Sequence, residues 1–214
     1  MRKYFSLFAG LIILTCGCSS STEIINLDIA KKLVQNYYEN GSYDSECRKI
    51  LNKAKEEIAA LTLENSSTVI FDIDDTALSN YEYTKELGFG YNYSTYQQWI
   101  NDCKFKPIPQ VKDFYNWLLS KKTKIVFLTG RYHESLSATR KNLINAGFTS
   151  FDTLIVRNVE EKKLPAAEYK AAKREELTNR GYKIIAGIGD QASDFKGNYV
   201  GIKIKLPNFL YGIE

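Results

Sequence analysis

The possible folds of this 214-residue chain are limited most by an alternation of apolar runs and amphipathic segments beyond residue 66. Buried strands are indicated by short runs rich in β-branched and aromatic residues, namely TVIFDI, KIVFLTG, FDTLIV, KIIAGIG and YVGIKI. Helical spacing is found between them, in VKDFYNWLLSKK, SLSATRKNLINAG and PAAEYKAAKREELTNRG. Strands alternating with helices of this length predict an α/β fold, in which βαβ crossovers build a parallel sheet covered on both faces.

The N-terminus has a different character and indicates export. A basic start is followed by an apolar run from Tyr4 to Thr15 that is too short to span a bilayer, as in secretory signal peptides. Gly17 before Cys18 resembles a bacterial lipobox, so we predict a lipoprotein signal at 1–17 and lipidation of Cys18. The protein would then be lipid-anchored at the cell envelope, on the periplasmic face or at the outer membrane. An ordinary cleaved signal, or a short apolar anchor, is the alternative.

Residues 18–65 are predicted to form an N-terminal helical extension, because apolar residues recur there at helical spacing. These residues are Ile29, Leu33, Tyr37, Ile50, Leu51, Ala54, Ile58 and Leu61. Residues 66–214 make up the α/β unit. Within that unit, a segment from about 79 to 107 is dense in aromatic residues and glycine and ends at the punctuating KPIP.

Composition excludes several classes of function. With 44% hydrophobic residues the chain can bury one sizeable core, and a net charge of +4 without a Lys/Arg block does not predict a nucleic-acid polymer as partner. His133 is the single histidine, and no Cys/His spacing is typical of zinc. Cys47 and Cys103 would remain after the leader. In an oxidising compartment they can pair, although two unlinked thiols fit the sequence equally well.

The stretch VIFDIDDTALSN places three aspartates directly behind a predicted strand. Ligand crevices of parallel sheets lie beyond the carboxyl ends of the strands, where Asp190 and Asp194 of IGDQASD also follow a strand. Asp72 and Asp74 can address one site, and close carboxylates repel each other unless a cation or a proton intervenes. An all-oxygen set favours Mg²⁺. The glycine and distal glutamate of a calcium-binding EF-hand loop are absent.

A third strand end, LTGR, suits phosphate. Thr129 supplies a hydroxyl, Gly130 an accessible backbone N–H group and Arg131 a guanidinium, all of which can bind phosphate oxygens. Arg131 is interpreted either as a phosphate contact or as a structural bridge. The three polar strand ends are expected to converge at one edge of the sheet.

Taken in order, VIFDIDDTALSN, IVFLTGR, YKAAKR and IGDQASDF resemble the motifs of the haloacid dehalogenase (HAD) superfamily. They are most similar to its acid phosphatase branch (subfamily IIIB), which includes bacterial lipoprotein phosphatases, plant acid phosphatases and vegetative storage proteins. The resemblance extends from about Val69 to the KLPNFLYGI tail. It implies a three-layer, Rossmann-like core with a parallel sheet, and a small aromatic-rich cap inserted at about 79–107.

The resemblance also implies the residues of the reaction. Asp72 matches the nucleophile that forms an aspartyl-phosphate, and Asp74 matches the general acid–base residue. Asp74 must be protonated to donate to the leaving group, which favours acidic pH unless its surroundings raise its pKa. Thr129 matches the phosphoryl-binding hydroxyl, and Lys170 matches the lysine that screens the phosphate from the nucleophile.

The metal site is implied in the same way. Asp190 matches a Mg²⁺ ligand, together with Asp72 and the backbone carbonyl of Asp74, and Asp194 supports that shell. Arg174, four residues after Lys170, is expected to brace an acidic ligand. The bound ion would hold the nucleophile and a phosphoryl oxygen together against their repulsion.

Other polar residues near these motifs are expected to be structural. Asp75 is predicted to cap a helix or face solvent, and Thr76 to stabilise the turn by bonding the backbone. Lys162 and Lys163 are the alternatives to Lys170 for the lysine role. His133 follows the second motif but is interpreted as a passive loop residue.

The aromatic residues of the insertion have two interpretations. They can form a stacking platform over the phosphate site, which would favour nucleotides or aryl phosphates, or they can pack the insertion's own small core. The residues concerned are Tyr81, Tyr83, Phe89, Tyr91, Tyr93, Tyr96 and Trp99.

The function predicted from sequence is therefore a Mg²⁺-dependent acid phosphatase that hydrolyses small phosphate monoesters through an aspartyl-phosphate. One alternative is a non-catalytic surface or binding lipoprotein that reuses the fold, because a fold does not fix function. Another is a phosphotransferase, in which an alcohol replaces water as the acceptor.

Overall fold

A computed structural model describes residues 24–213 of the chain. The helices are α1 (Leu27–Glu39), α2 (Ser42–Ala59), α3 (Tyr81–Glu86), α4 (Tyr93–Asn101), α5 (Pro109–Ser120), α6 (Leu136–Asn145) and α7 (Ala166–Asn179). The strands are β1 (Ser67–Phe71), β2 (Leu78–Ser79), β3 (Lys106–Pro107), β4 (Lys124–Tyr132), β5 (Thr153–Arg157), β6 (Lys183–Gly189) and β7 (Ile202–Lys205). The signal segment 1–17 and Cys18 lie outside the described residues. Within the described range, no helix is both long and apolar enough to cross a bilayer.

The main sheet has five parallel strands in the order β5-β4-β1-β6-β7. Each strand predicted from an apolar run is present, and helices cover the sheet on both faces, so the predicted three-layer α/β fold is confirmed. β1 occupies the centre and pairs with β4 on one side and with β6 on the other. The carboxyl ends of these three strands therefore share one edge of the sheet.

Alternate residues of β1 bury their side chains on opposite faces of the sheet, as the period of a strand requires. Val69 and Phe71 belong to the larger apolar core, to which α2, α5 and α6 contribute side chains such as Leu51, Phe114 and Leu143. Ile70 belongs to the smaller core on the other face, beneath α7, with Val126, Leu128, Tyr169 and Leu177. Because both faces are covered, the strands are continuously apolar rather than alternating.

The N-terminal helical region is two helices, whereas the sequence pattern predicted helical spacing throughout. The chain turns at Gly41, whose φ of +88° lies in the left-handed region that glycine adopts most easily. α2 then packs against α5 and β7, and its buried face carries Tyr43, Cys47, Leu51 and Ile58. This helix therefore covers part of the main core.

The aromatic-rich segment leaves and re-enters the α/β unit at one point. Leu78 pairs with Pro107 and Ser79 with Lys106 in a short antiparallel ladder between β2 and β3. The helices α3 and α4 lie between these strands, and α4 begins after Asn92, whose side chain accepts a hydrogen bond from the Thr95 N–H at 3.1 Å. The ladder follows the end of β1 by a few residues, which holds the insertion near the carboxyl edge of the sheet.

Cys47 and Cys103 are both free thiols, so the structure supports the unlinked alternative. Cys47 is fully buried on α2, and burial raises its pKa to about 12. The thiol of Cys47 is therefore protonated at neutral pH and packs as a small apolar side chain.

Candidate active site

The polar residues predicted from the strand ends are brought together at the carboxyl edge of the sheet. Asp72 directly follows β1, and its backbone N–H extends the ladder to Ile188 of β6 at 2.9 Å. Thr129 and Gly130 lie near the end of β4, and Asp190 directly follows β6. A cavity of about 620 Å³ opens at this edge, and the insertion forms its opposite wall.

Lys170 links two carboxylates at the base of the cavity. Its Nζ donates to Asp72 Oδ1 at 2.6 Å and also to Asp194 Oδ1, and all three side chains are buried. Burial lowers the pKa of Lys170, but the two carboxylates outweigh it and raise that pKa. Burial raises the pKa of Asp72, and repulsion from Asp194 and Asp190 adds to this against the opposing effect of Lys170. One ammonium is thus shared by more than one carboxylate.

The carboxylates of Asp72, Asp190 and Asp194 form a compact cluster, with oxygen atoms that all lie within 4.8 Å of one another. Asp194 belongs to this cluster itself and does not only support it from outside. Asp190 is held by Thr76 Oγ1 at 3.1 Å and by amide N–H groups of Gln191 and Asn208 at 2.6 Å each. The cluster carries more negative charge than Lys170 neutralises, and its oxygen donors are of the kind that hard divalent cations bind. The residues present therefore fit a metal ion.

The side chain of Asp74 points to a different set of partners. Arg131 donates to its two oxygens, from Nε at 3.0 Å and from Nη2 at 2.6 Å, and the Tyr96 hydroxyl donates at 2.6 Å. Burial raises the pKa of Asp74, but Arg131 and Tyr96 outweigh it and hold that pKa below its usual value. Arg131 also donates to Thr139 at 3.3 Å. The guanidinium thus acts as a bridge to Asp74, and the carboxyl takes up a proton only at acidic pH.

Asp75 fits the first of its two predicted roles, a contact at the start of a helix, whereas Thr76 differs from its predicted role. Asp75 does not face solvent: it is 2% exposed, and its Oδ1 accepts from the Asn80 N–H at 2.8 Å just before α3. Burial raises the pKa of Asp75 well above its usual value, and repulsion from Asp190 adds to this. Thr76 does not bond the backbone but donates to Asp190. A local turn pattern could not reveal the contact of Thr76, because Asp190 is remote in sequence.

Arg174 braces a loop rather than an acidic side chain. The guanidinium is almost fully buried and donates to backbone carbonyls of Asp194 at 2.9 Å, Asn198 at 3.1 Å and Lys196. Arg174 therefore braces Asp194 through the backbone carbonyl of that residue and not through its carboxylate. Arg174 fixes the path of the chain after β6, and this path carries Asp194 to the cluster.

Gly189 makes room for Asp194 at the end of β6. A Cβ atom added at this glycine would lie 2.6 Å from the Asp194 Cβ and would overlap its carboxylate. The close approach of these two segments therefore requires a residue without a side chain.

The remaining predicted phosphate residues lie at the cavity or directly behind it. Gly130 is exposed and lines the cavity, whereas Thr129 is fully buried and its Oγ1 accepts from the Arg131 N–H at 3.2 Å. Lys162 pairs with Glu134 at 2.6 Å on the surface, and Lys163 is exposed. Lys170 is therefore the lysine that contacts Asp72.

The aromatic residues of the insertion divide between the two interpretations. Tyr91 and Tyr93 are 66% and 56% exposed and line the cavity. Tyr83 is buried and packs edge-on against Tyr96 and Trp99, in the insertion's own core. A platform and a small core are thus both built from this segment.

Several cavity residues were missed by the sequence reasoning. Tyr132 and Arg157 line the cavity from β4 and β5, Asn80 from the start of α3, and Tyr211 from the C-terminal tail. The KLPNFLYGI tail carried a signal, since it belongs to the resemblance, but no residue of it had been given a role. Nothing in the local sequence distinguished Arg157 from a surface arginine.

The parallel sheet, with its carboxylates and lysine at one edge, has the architecture of a HAD-type hydrolase. Residues 16–214 match the family described as HAD superfamily, subfamily IIIB (Acid phosphatase), and the chain belongs to this family. It is accordingly a phosphoric monoester hydrolase of the acid phosphatase class.

Named relatives are consistent with this family. The chain is 35% identical over 185 residues to Stem 31 kDa glycoprotein of Glycine max, covering 84% of this chain and 73% of that protein. It is 29% identical over 186 residues to Acid phosphatase 1 of Solanum lycopersicum, with the same two coverages of 84% and 73%. The tungstate-bound crystal structure of Class C acid phosphatase from Bacillus anthracis has a TM-score of 0.71 at 23% identity, covering 88% and 87% of the two chains. This last similarity concerns the fold alone.

Proposed function

We propose that this protein is an exported, Mg²⁺-dependent acid phosphatase that hydrolyses small phosphate monoesters through an aspartyl-phosphate intermediate. The observation that carries the proposal is the position of Asp72. Its carboxylate lies in the cavity, 2.6 Å from the Lys170 ammonium and beside the carboxylate cluster, with Asp74 on the same cavity. A nucleophile, an acid–base group and a cation are therefore available within one small space.

The reaction proceeds in two displacements at phosphorus. An Asp72 oxygen attacks the phosphorus while the bond to the ester oxygen breaks, and the departing oxygen takes the proton of Asp74. Water then attacks the phosphoryl group, gives a proton to Asp74 and releases Asp72 with inorganic phosphate. Lys170 reduces the repulsion between Asp72 and the anionic phosphoryl group. Two displacements replace one difficult step by two easier ones.

Mg²⁺ would be held by Asp72, Asp190 and Asp194, and the backbone carbonyl of Asp74 is a further candidate ligand. When bound, the ion neutralises charge on the carboxylates and on the phosphoryl oxygens. Its support here is the chemistry of the donor set, which is all oxygen, buried and more negative than Lys170 can balance.

Metal removal is the first test of this proposal. Treatment with EDTA is expected to reduce p-nitrophenyl phosphate hydrolysis to background, and added Mg²⁺ is expected to restore it, because the cluster otherwise repels the substrate dianion. The assay uses the soluble form that begins after Cys18, and an Asp190→Asn variant serves as the comparison because Mg²⁺ should rescue it poorly. Full hydrolysis in EDTA would contradict metal dependence. No hydrolysis of any ester in a wide panel, with Mg²⁺ present, would favour a non-catalytic protein.

We further propose that the exposed tyrosines of the insertion favour nucleoside monophosphates or aryl phosphates. Tyr91 and Tyr93 line the cavity with accessible rings, on which a planar group can stack. Such stacking contributes about 1–3 kcal/mol per base in other proteins. The cavity volume of about 620 Å³ is suited to a small molecule rather than a nucleic-acid polymer.

The stacking proposal predicts a substrate ratio. We expect kcat/KM for a nucleoside monophosphate to exceed that for glycerol phosphate by roughly tenfold, and we expect Tyr91→Ala to remove most of this difference. Tyr91→Phe is the matched control, because it keeps the ring and should keep the ratio. Equal kcat/KM values for the two esters in the wild-type protein would remove the stacking proposal.

Export and lipid anchoring at Cys18 are supported by the leader sequence. Three of the relatives are stem glycoproteins of Glycine max, which agrees with an exported protein. The proposed membrane contact is made by the N-terminal lipid.

A phosphotransferase would use the same aspartyl-phosphate, and product analysis with added glycerol distinguishes it from a hydrolase.

A further inference from the structure

The cations that line the cavity differ in their partners. Arg131 is paired with Asp74 at 2.6 Å, and Lys170 is paired with Asp72 and Asp194. Arg157 also lines the cavity, yet it has no carboxylate partner within residues 24–213. Within residues 24–213, Arg157 is therefore the cavity cation that forms no salt bridge, although Glu161 lies close enough to interact with its charge.

Arg157 is held firmly at the end of β5. It is 7% exposed, its Nη1 donates to the Leu164 carbonyl at 2.9 Å, and its guanidinium lies 4.7 Å from the centre of the Tyr169 ring. Its Nε is buried and has no hydrogen-bond partner in the described part of the chain. Burying an arginine with an unused donor is unfavourable for the free energy of folding unless another group binds that donor.

The location of Arg157 indicates which part of a substrate it would meet. A Cβ atom placed on Gly130 would lie 3.9 Å from the Arg157 Nε, so the guanidinium is next to the strand end that suits phosphate. Ala166 and Lys170 of α7 line the cavity beside it. The exposed tyrosines Tyr91 and Tyr93 belong to the insertion, which forms the opposite wall of the cavity. Arg157 therefore lies on the phosphate side.

The charges in the cavity indicate what Arg157 can bind. An incoming phosphate ester is an anion, and it must approach Asp72, Asp190 and Asp194 while Lys170 is already shared between two of them. A guanidinium without a salt bridge offers the anion a charge-assisted hydrogen bond that the paired cations do not.

We propose that Arg157 is a substrate-binding residue whose guanidinium contacts oxygen atoms of the phosphoryl group. This inference rests on the proposed phosphatase function, since it assigns a contact to the same site. Arg157 binds and orients the anion, and it takes no part in proton transfer or in the attack by Asp72.

The test measures binding of inorganic phosphate by calorimetry, in the presence of Mg²⁺, for the wild-type protein and Arg157→Gln. Loss of a charge-assisted contact is expected to weaken the phosphate Kd by about tenfold or more. In the phosphatase assay the KM should rise more than kcat falls. Arg157→Lys keeps the charge without the planar fork and should bind phosphate with intermediate affinity.

Arg180→Gln is the matched control, because it also removes one guanidinium charge, from an exposed side chain at the end of α7. Its phosphate Kd should stay at the wild-type value. A folded Arg157→Gln protein with wild-type phosphate affinity would overturn the proposal, since a purely structural arginine changes only Tm. If that variant does not fold, Arg157→Lys decides: weaker phosphate binding at wild-type Tm supports the contact, and unchanged binding overturns it.

This experiment separates the inference from the proposed function. Calorimetry with inorganic phosphate needs no turnover. If the wild-type protein hydrolyses no ester but Arg157→Gln weakens phosphate binding, the Arg157 contact is supported and the phosphatase proposal is refuted. If the protein hydrolyses esters and Arg157→Gln changes neither hydrolysis nor phosphate affinity, the phosphatase proposal is retained and the Arg157 contact is refuted.

Discussion

Asp72→Asn is expected to lower kcat for phosphate ester hydrolysis by about 10⁴-fold or more, because the amide cannot form the aspartyl-phosphate. The variant should fold normally. Burial and neighbouring carboxylates raise the pKa of Asp72, which means that the folded state disfavours its charge. An uncharged asparagine removes that unfavourable interaction, so Tm should stay equal or rise. The measurements are single-substrate kinetics with p-nitrophenyl phosphate and a thermal unfolding curve.

Asp113→Asn is the control for this substitution, because it also removes one carboxylate, from an exposed position on α5. Its kcat should remain at the wild-type value. Wild-type turnover by a folded Asp72→Asn protein would refute the assignment of the nucleophile.

Gly189→Ala is expected to damage the site from a position that makes no contact with substrate. The new methyl group would overlap Asp194, whose Cβ lies 2.6 Å from the position it must occupy. Displacement of Asp194 disturbs both Lys170 and the carboxylate cluster, and misplacing a catalytic array by about 1 Å can cost roughly 10²-fold in rate. We expect a loss of that order in kcat/KM, together with an overpacking cost of about 1–3 kcal/mol in the free energy of unfolding.

The same strand offers a matched control. Gly187→Ala would place its methyl group 3.4 Å from Val200 Cγ1, an ordinary contact, and away from Asp194. This variant should retain most of the activity. Higher Mg²⁺ concentrations should partly restore Gly189→Ala if the displaced carboxylate weakens metal binding. Wild-type kinetics in Gly189→Ala would show that Asp194 need not occupy the observed position.

The sheet could be predicted because its strands are buried on both faces and therefore appear as short, continuous apolar runs. Val69, Ile70 and Phe71 illustrate this, since consecutive residues enter different cores. The break between α1 and α2 was missed because apolar spacing continues on both sides of Gly41. A single glycine with positive φ changes the direction of the chain without changing that spacing.

The candidate site was less predictable where its contacts join remote parts of the chain. Asp72, Asp190 and Lys170 were found from strand ends and from the family resemblance, and the structure brings them together. Arg174 was expected to brace an acidic ligand, but residue type alone could not show that it does so through backbone carbonyls, among them that of Asp194. Asp75 is buried and lies close enough to Asp190 to be repelled by it, and the local turn sequence shows neither feature.

The two-residue ladder between β2 and β3 has a consequence for how substrate preference can vary. Leu78–Pro107 and Ser79–Lys106 close the insertion at its base, so the segment between them leaves and rejoins the α/β unit at one place. Its exposed tyrosines, Tyr91 and Tyr93, can be exchanged without altering the backbone that carries Asp72 and Asp74, whereas Tyr96 must be kept because its hydroxyl donates to Asp74. Preference for the leaving group can therefore vary at Tyr91 and Tyr93, while Tyr96 couples the insertion to the acid–base residue Asp74.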